Sequence, residues 1–485
     1  MNSWEIKNLI RKRVAEEEGV LRKVAPLGVA LCHPATYDVA MSSLGFQAIY
    51  QEIHNHPEAA AERAFLPDKP EEYRRNRVPV FTYENERPLS DFPVVAFSIA
   101  YELEITGIFE MLDLCGIPVL RGERSARHPF ILAGGPLTIS NPAILFPFVD
   151  GIIIGEGEDR IHQFLNIAAD TERKDWAELL ARLPGCYVPG VSAEMPSPCR
   201  APDERLPASS RIITRNTVLS SMFLIEPERG CSRSCAYCVM RGPRGGGMRT
   251  VQAKEVLRRI PENARRVGLV GAAVTDHPQI RDIVCCLVES GREIGLSSLR
   301  ADRIADHLGE EFVRLLAKGG YRTLTIASDG ASRRMRDMVG RNVEDRHIIQ
   351  AAELASLAGI HRLKLYEMIG FPGETMGDIE ELIRLSSEIS NIVSLSLSVS
   401  PFVAKFNTPL GGAPFEDIST LESKISRIRA GLKGKAEVKP GSPRFAWIEY
   451  MLSQGAASAG LAAMEAWRQG DRFAAWKRAF ETIDA

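Results

Sequence analysis

The sequence has no apolar run long enough to cross a bilayer, and its opening residues, MNSWEIKNLIRKRVAEEEGV, spread charges through an amphipathic helical pattern where a secretion signal would carry an apolar core. It has no excess of either charge: 60 Lys and Arg stand against 62 Asp and Glu, a net charge of -2 that favours neither nucleic acid nor anionic lipid. It lacks a disulfide framework, since nine cysteines are an odd number and most are scattered or lie in apolar surroundings. It shows no repeat of solenoid period, no low-complexity tract and no phosphate loop with a Gly-Lys-Ser/Thr ending. These absences exclude a membrane span and a disulfide-stapled secreted scaffold, and the expected location is a reducing cytoplasm.

What is present is a chain of 485 residues, too long for one ordinary core, with the 45% hydrophobic and 25% charged content of a globular protein. Residues 1–165 contain short apolar runs alternating with helical stretches: PLGVALCHP, FPVVAFSIAYE, PFILAGGP and DGIIIGEGE. Such runs predict a parallel sheet with helices on both faces, whose ligands bind beyond the carboxyl ends of the strands. Residues 166–215, with PGCYVPGV and MPSPCRAPDERLP, read as a linker that wraps rather than packs as a core. Residues 216–410 hold a second alternating series of six strand-helix units, enough for a partial parallel barrel, and residues 411–485 read as helical.

The first strand of the second series leads into ERGCSRSCAYCVMRGPRGGGMR, which places Cys231, Cys235 and Cys238 in one loop. Thiolates are soft ligands suited to iron, and three in a Cys-x3-Cys-x2-Cys spacing can hold a cubane iron-sulfur cluster while leaving one iron open for chemistry. A structural zinc site or an electron-transfer cluster would normally take four protein ligands. The alternatives from the residues alone are an incidental group of thiols, or a zinc site completed by a distant ligand such as His277.

The cysteine spacing, with Tyr237 just before the last cysteine, resembles the signature of radical S-adenosylmethionine (SAM) enzymes. The likeness continues through TIASDGASRRMR and LKLYEMIGFPGET, which resemble the fourth- and fifth-strand segments of the subgroup sharing its barrel with methylthiotransferases. In the amino-terminal half, VVAFSIAYELEITGIFEMLDLCGIPV, ILAGGPLTISNP and DGIIIGEGE resemble the cobalamin-binding-type domain that precedes many such barrels. The implied fold is α/β: a Rossmann-like amino-terminal sheet of cobalamin-binding type, a partial (β/α)6 radical SAM barrel and a helical carboxy-terminal region. The implied cofactors are a [4Fe-4S] cluster, SAM and cobalamin. The implied chemistry is one-electron cleavage of a carbon-sulfur bond of SAM to a deoxyadenosyl radical, leading to methyl transfer to, or rearrangement of, an unactivated carbon. Cobalamin-independent hydrogen abstraction or sulfur insertion is the alternative within the family, and a non-enzymatic iron-sulfur redox protein is the alternative outside it. A low-potential donor such as flavodoxin or ferredoxin is the expected partner. Methylthiotransferases carry a second cysteine triplet and a small RNA-binding barrel; neither is recognisable here, so nucleic acid is not indicated.

The resemblance also implies residue roles. Cys231, Cys235 and Cys238 would bind the cluster, with Arg229 and Gly230 flanking it. Relatives often carry Gly-Gly-Glu at the second strand, where this chain has Gly271, Ala272 and Ala273, a change that backbone recognition survives and a carboxylate contact does not. Tyr237, Ser298, Arg300, Asp329, Ser332, Arg334 and Gly370 are the further SAM-binding candidates, with Arg300 and Arg334 offered for the methionine carboxylate. Asp276, His277 and Glu367 are substrate candidates. Arg244 and Arg249 follow the cysteines in a basic glycine-rich stretch whose simplest reading is a solvated loop. In the amino-terminal sheet, Gly134, Gly135, Gly155 and Gly157 would let backbone approach a corrin, although the Asp-x-His-x-x-Gly motif of many cobalamin domains is absent.

Overall fold

The computed structural model describes residues 2–240 and 247–483, and the chain divides into two compact units, Met1–Phe223 with Met451–Ala485, and Leu224–Tyr450. The first unit is built on six strands: β1 Leu27–His33, β2 Ala59–Phe65, β3 Val94–Ser98, β4 Phe130–Gly134, β5 Gly151–Ile153 and β6 Cys186–Tyr187. Their order is β2-β1-β3-β4-β5-β6; the first five run parallel and β6 is antiparallel to β5. The order reverses between β1 and β3, the position where sheets of this kind open a ligand crevice. The apolar runs legible in the sequence are β1, β3, β4 and β5, strands covered on both faces.

β2 was not legible, because AAAERAF carries two charges into a fully buried strand. The fold neutralises them locally: the Arg63 guanidinium lies 2.7 Å from Glu17 and 2.6 Å from Glu84, all three side chains buried. Residues 166–215 are not a wrapping linker throughout. They supply β6 and place Trp176, Leu180, Cys186, Val188 and Ile212 in the sheet's core, their prolines separating short elements rather than holding the segment off the body.

The chain's last helices, Ala457–Arg468 and Phe473–Ile483, belong to this first unit. The Asn141 amide donates to the carbonyls of Leu452, Ser453 and Gly455 at 3.0, 3.2 and 2.7 Å, and the Trp467 indole N–H donates to Glu110 at 2.9 Å.

Besides a short two-stranded ladder, the described residues of the second unit form seven strands in two sheets where six strand-helix units were expected. β7 Phe223–Ile225, β8 Arg266–Leu269 and β9 Glu293–Leu296 form one sheet in the order β9-β8-β7. β10 Thr323–Ala327, β11 Arg362–Ile369, β12 Ser394–Pro401 and β13 Ala436–Pro440 form a second, parallel throughout, in the order β10-β11-β12-β13. Between β9 and β10 the backbone ladder is replaced by single bonds: Ile294 N–H to the Gly319 carbonyl at 2.9 Å, and Leu296 N–H to the Tyr321 hydroxyl at 2.5 Å. The region 411–485 is therefore not wholly helical, since β13 adds a strand after the helix Ile418–Gly431. Among the described residues no helix is long and apolar enough to cross a membrane.

Candidate active site

The cysteine loop is closed at its base by a short ladder in which Glu228 pairs with Thr250 and Arg229 with Arg249, antiparallel. Gly230 sits just inside it with φ +89°, and a Cβ there would lie 2.4 Å from the Gly247 carbonyl oxygen, so only glycine fits. The ladder follows β7, which puts the loop at the carboxyl end of the first strand of the second unit, as expected for a parallel barrel. Arg249 is buried within the ladder, so the reading of it as a solvated loop residue is corrected; Arg244 lies outside the described residues.

Cys231, Cys235 and Cys238 line one cavity of about 180 Å³. All three are free thiols; Cys235 is buried and the other two partly so. Burial pushes the Cys231 and Cys238 thiols up, while the Arg233 N–H, 3.4 Å from Cys231 Sγ, acts the other way. The loop is stapled from outside as well: Ala236 N–H donates to the Val339 carbonyl at 2.8 Å and Leu410 N–H to the Ala236 carbonyl at 3.1 Å.

This donor set fits a cubane cluster. Among the described residues no three His, Cys, Asp or Glu side chains converge on a single ion. A cubane takes each thiolate on a different iron, so it needs three thiolates around one cavity rather than on one ion, and Cys231, Cys235 and Cys238 line the same cavity. The zinc alternative fails at His277, which is 1% exposed, with Nε2 2.9 Å from the Val251 carbonyl and Nδ1 accepting the Gln279 N–H at 3.0 Å. Burial pulls its pKa down and leaves neither nitrogen for a metal or for proton transfer.

Arg233, Arg300 and Arg341 line the same cavity, and each is paired with an aspartate. Arg233 holds Asp276 through two bonds of 2.8 and 3.0 Å, Arg300 holds Asp302 through 3.1 and 3.0 Å, and Arg341 Nε lies 3.1 Å from Asp329. Asp276 also accepts the Ser232 hydroxyl at 3.1 Å and lies 3.3 Å from Arg303, so this substrate candidate instead pins the loop between the first two cysteines. Burial would raise its carboxyl, and the Arg233 contact holds it below the ordinary value. Arg300 reaches the cavity, as expected, with its fork already on Asp302.

The loop after β8 is held by side chains. Ser297 accepts the Gly271 N–H at 2.9 Å, and Ser298 accepts the Val274 N–H at 2.9 Å. Both hydroxyls donate to the Gly271 carbonyl, at 2.8 and 3.2 Å. Glu228 Oε1 accepts the Ala273 N–H at 2.8 Å and occupies the space a side chain on Gly271 would need, 2.1 Å from its Cβ position. Ala272, Ala273 and Ser298 line the cavity.

Tyr237 also lines the cavity, and the remaining candidates are not among its lining residues. Asp329, at φ +55°, faces Tyr237, whose hydroxyl donates to it across 2.8 Å. Ser332 caps the helix Arg333–Met338, donates to Asp378 at 2.5 Å, and shares that carboxylate with Arg334, which bonds it at 3.2 and 2.5 Å. These two fasten the β10 loop to the helix Met376–Ser390. Gly370, at φ +89°, donates its N–H to Glu374, itself paired with the buried Lys424 at 2.8 Å. Along β11 the alternation puts Tyr366 on the cavity and buries Glu367 on the other face, where its carboxylate accepts the Ser328 hydroxyl and the N–H groups of Gly330 and, at 2.9 Å, Met368. Burial raises Glu367 to about 8.

In the first unit the glycines serve the chain itself. A Cβ on Gly135 would meet Ile99 backbone at 2.6 Å and one on Gly155 the Cys199 carbonyl at 2.4 Å; Gly134 ends β4 and Gly157 precedes the helix Glu158–Asp170. At the switch point, a Cβ on Gly107 would sit 2.3 Å from the Pro34 carbonyl, so the loop after β1 and the helix after β3 are in contact.

The family model described as the radical SAM superfamily matches residues 225–386, and that for radical SAM proteins, N-terminal, matches residues 45–189. The chain belongs to the radical SAM superfamily. An uncharacterised protein of Methanocaldococcus jannaschii is 28% identical over 375 residues, covering 74% of this chain and 77% of that protein. An uncharacterised methyltransferase of Pyrococcus horikoshii is 22% identical over 274 residues, covering 54% and 58%. Among solved structures, the cobalamin-dependent radical SAM enzyme OxsB with aqua-cobalamin bound matches with a TM-score of 0.55 at 15% identity. That match covers 81% of this radical SAM chain and 58% of OxsB, and the likeness is one of fold. An enzyme of this superfamily uses SAM and an iron-sulfur cluster, which agrees with the cysteine-lined cavity. Sequence reasoning missed Glu228, Arg233, Ser297, Arg341 and Tyr366. For Arg233 a signal existed, its place between the first two cysteines.

Proposed function

We propose that this chain is a radical SAM enzyme that acts on an unactivated carbon, with methyl transfer as its reaction class. The observation that carries the reading is that Cys231, Cys235 and Cys238 line one cavity at the carboxyl ends of parallel strands. A [4Fe-4S] cluster on these thiolates would supply the one-electron reduction that breaks a carbon-sulfur bond of SAM. The chain's own residues fix the loop through Asp276 and Val339, bring Ser298, Arg300 and Arg341 to the cavity, and wall it with Ala272, Ala273 and Tyr366. A low-potential donor such as flavodoxin or ferredoxin provides the electron, in a reducing cytoplasm that keeps all nine cysteines free.

Methyl transfer is supported by the Pyrococcus relative's name, and cobalamin as second cofactor by the likeness to OxsB and by the β2-β1-β3-β4-β5 strand order. Gly134, Gly135, Gly155 and Gly157, at the ends of the fourth and fifth strands of the first unit and in the loops after them, are the residues proposed to let the cobalamin ring approach the backbone. The test is anaerobic purification after expression with cobalamin, followed by iron and cobalt counts. About four irons and one cobalt per chain support the full reading; four irons without cobalt leave radical chemistry on carbon and remove cobalamin; no iron removes the function.

A further inference from the structure

Of the three arginines around the cavity, Arg341 comes from a segment outside the cysteine loop that is fastened to it. That segment is held through Ala236 N–H on the Val339 carbonyl at 2.8 Å and through Gly340, whose Cβ position lies 3.4 Å from the Ser234 carbonyl oxygen. The guanidinium is buried: Nη2 donates to the Ala327 carbonyl at 3.1 Å, and Nε sits 3.1 Å from Asp329, close enough for an ion pair and too bent for a hydrogen bond. Arg341 lines the same cavity as Cys231, Cys235, Cys238 and Tyr237, and its charge acts on Cys238 against the burial that raises that thiol. Tyr237, itself in the cysteine loop and lining the cavity, donates to Asp329 at 2.8 Å and fixes the counter-charge.

We propose that the Arg341–Asp329 pair sets the reduction potential of the cluster bound by Cys231, Cys235 and Cys238, the guanidinium favouring the reduced state and the carboxylate opposing it. The proposal rests on the reading of those cysteines as cluster ligands. A reduced cluster carries one more negative charge than an oxidised one. A fixed cation within a few ångströms in a poorly screened site stabilises that charge, and a carboxylate behind it partly cancels the effect. Removing the cation and removing the anion must therefore move the potential in opposite directions, which a structural role for either residue does not require.

The test is a potentiometric titration, followed by electron paramagnetic resonance, of anaerobically reconstituted wild type, Arg341→Gln, Arg341→Lys and Asp329→Asn, each with its iron content measured. At the wild-type midpoint, Arg341→Gln is expected to hold about tenfold less reduced relative to oxidised cluster, a shift of about 59 mV for one electron. Asp329→Asn is expected to hold more, and Arg341→Lys to stay near wild type. Iron-loaded variants whose midpoints coincide, or that shift in the same direction, overturn the proposal. If Arg341→Gln does not retain iron, the sign of the Asp329→Asn shift decides alone. A wild-type chain that takes up no iron overturns the cluster reading itself, an outcome distinct from coincident midpoints.

Discussion

Glu228 Oε1 accepts the Ala273 N–H across 2.8 Å, joining the base of the cysteine loop to the turn after the second barrel strand. The carboxyl is 1% exposed, Oε2 has no hydrogen-bond partner among the described residues, and burial raises the group to about 7. A carboxyl raised by folding stabilises the native state fully below its unfolded value of 4.5, and that contribution is lost as pH rises through 7. Glu228→Gln keeps an acceptor for Ala273 and removes the titration, so its melting temperature relative to wild type should rise between pH 5 and 8. Glu228→Ala strands a buried N–H and should cost about 1–3 kcal/mol at either pH.

Glu367 is buried on the face of β11 away from the cavity, and its value of about 8 has the same sign of consequence. Glu367→Gln should gain stability relative to wild type as pH passes 8 and leave the KM for SAM unchanged. A large rise in KM with unchanged stability would instead place Glu367 at the substrate.

His277 uses both ring nitrogens inside the fold. Substitution to Ala should cost about 2 kcal/mol in chemical denaturation, from lost packing and a stranded donor. The pH-rate profile of the surviving enzyme should keep its shape, because no catalytic proton sits on this ring.

The Arg233–Asp276 pair clamps the residues between Cys231 and Cys235. Asp276→Asn should lose about 1–3 kcal/mol of local stability and release iron several-fold faster to a chelator than wild type. Equal release rates would show that the loop needs no clamp.

The sequence displayed what is local and lost what depends on distant partners. The three cysteines and the apolar strands β1, β3, β4 and β5 are short-range patterns, and they were legible. β2 was hidden because Arg63 and Glu62 look like surface residues until Glu17 and Glu84 close on the guanidinium. β13, AEVKP, is a half-exposed edge strand of five residues with no apolar run, and its pairing with β12 is what makes it a strand. The same holds at the site. Nothing in the spacing shows Glu228 bonding the turn at Ala273, or Arg341 lining the cysteine cavity, because both meetings are made by the fold. Ser332, Arg334 and Glu367 carried suitable chemistry, but capping and strand alternation turned them to structural partners.

The most direct test of the central claim is formation of 5′-deoxyadenosine from SAM by the anaerobically reconstituted protein with a strong reductant, in wild type and in Cys235→Ala. The account predicts deoxyadenosine and a full iron complement from wild type, and loss of both in the variant. Undiminished deoxyadenosine from Cys235→Ala, or none from an iron-loaded wild type, would contradict it.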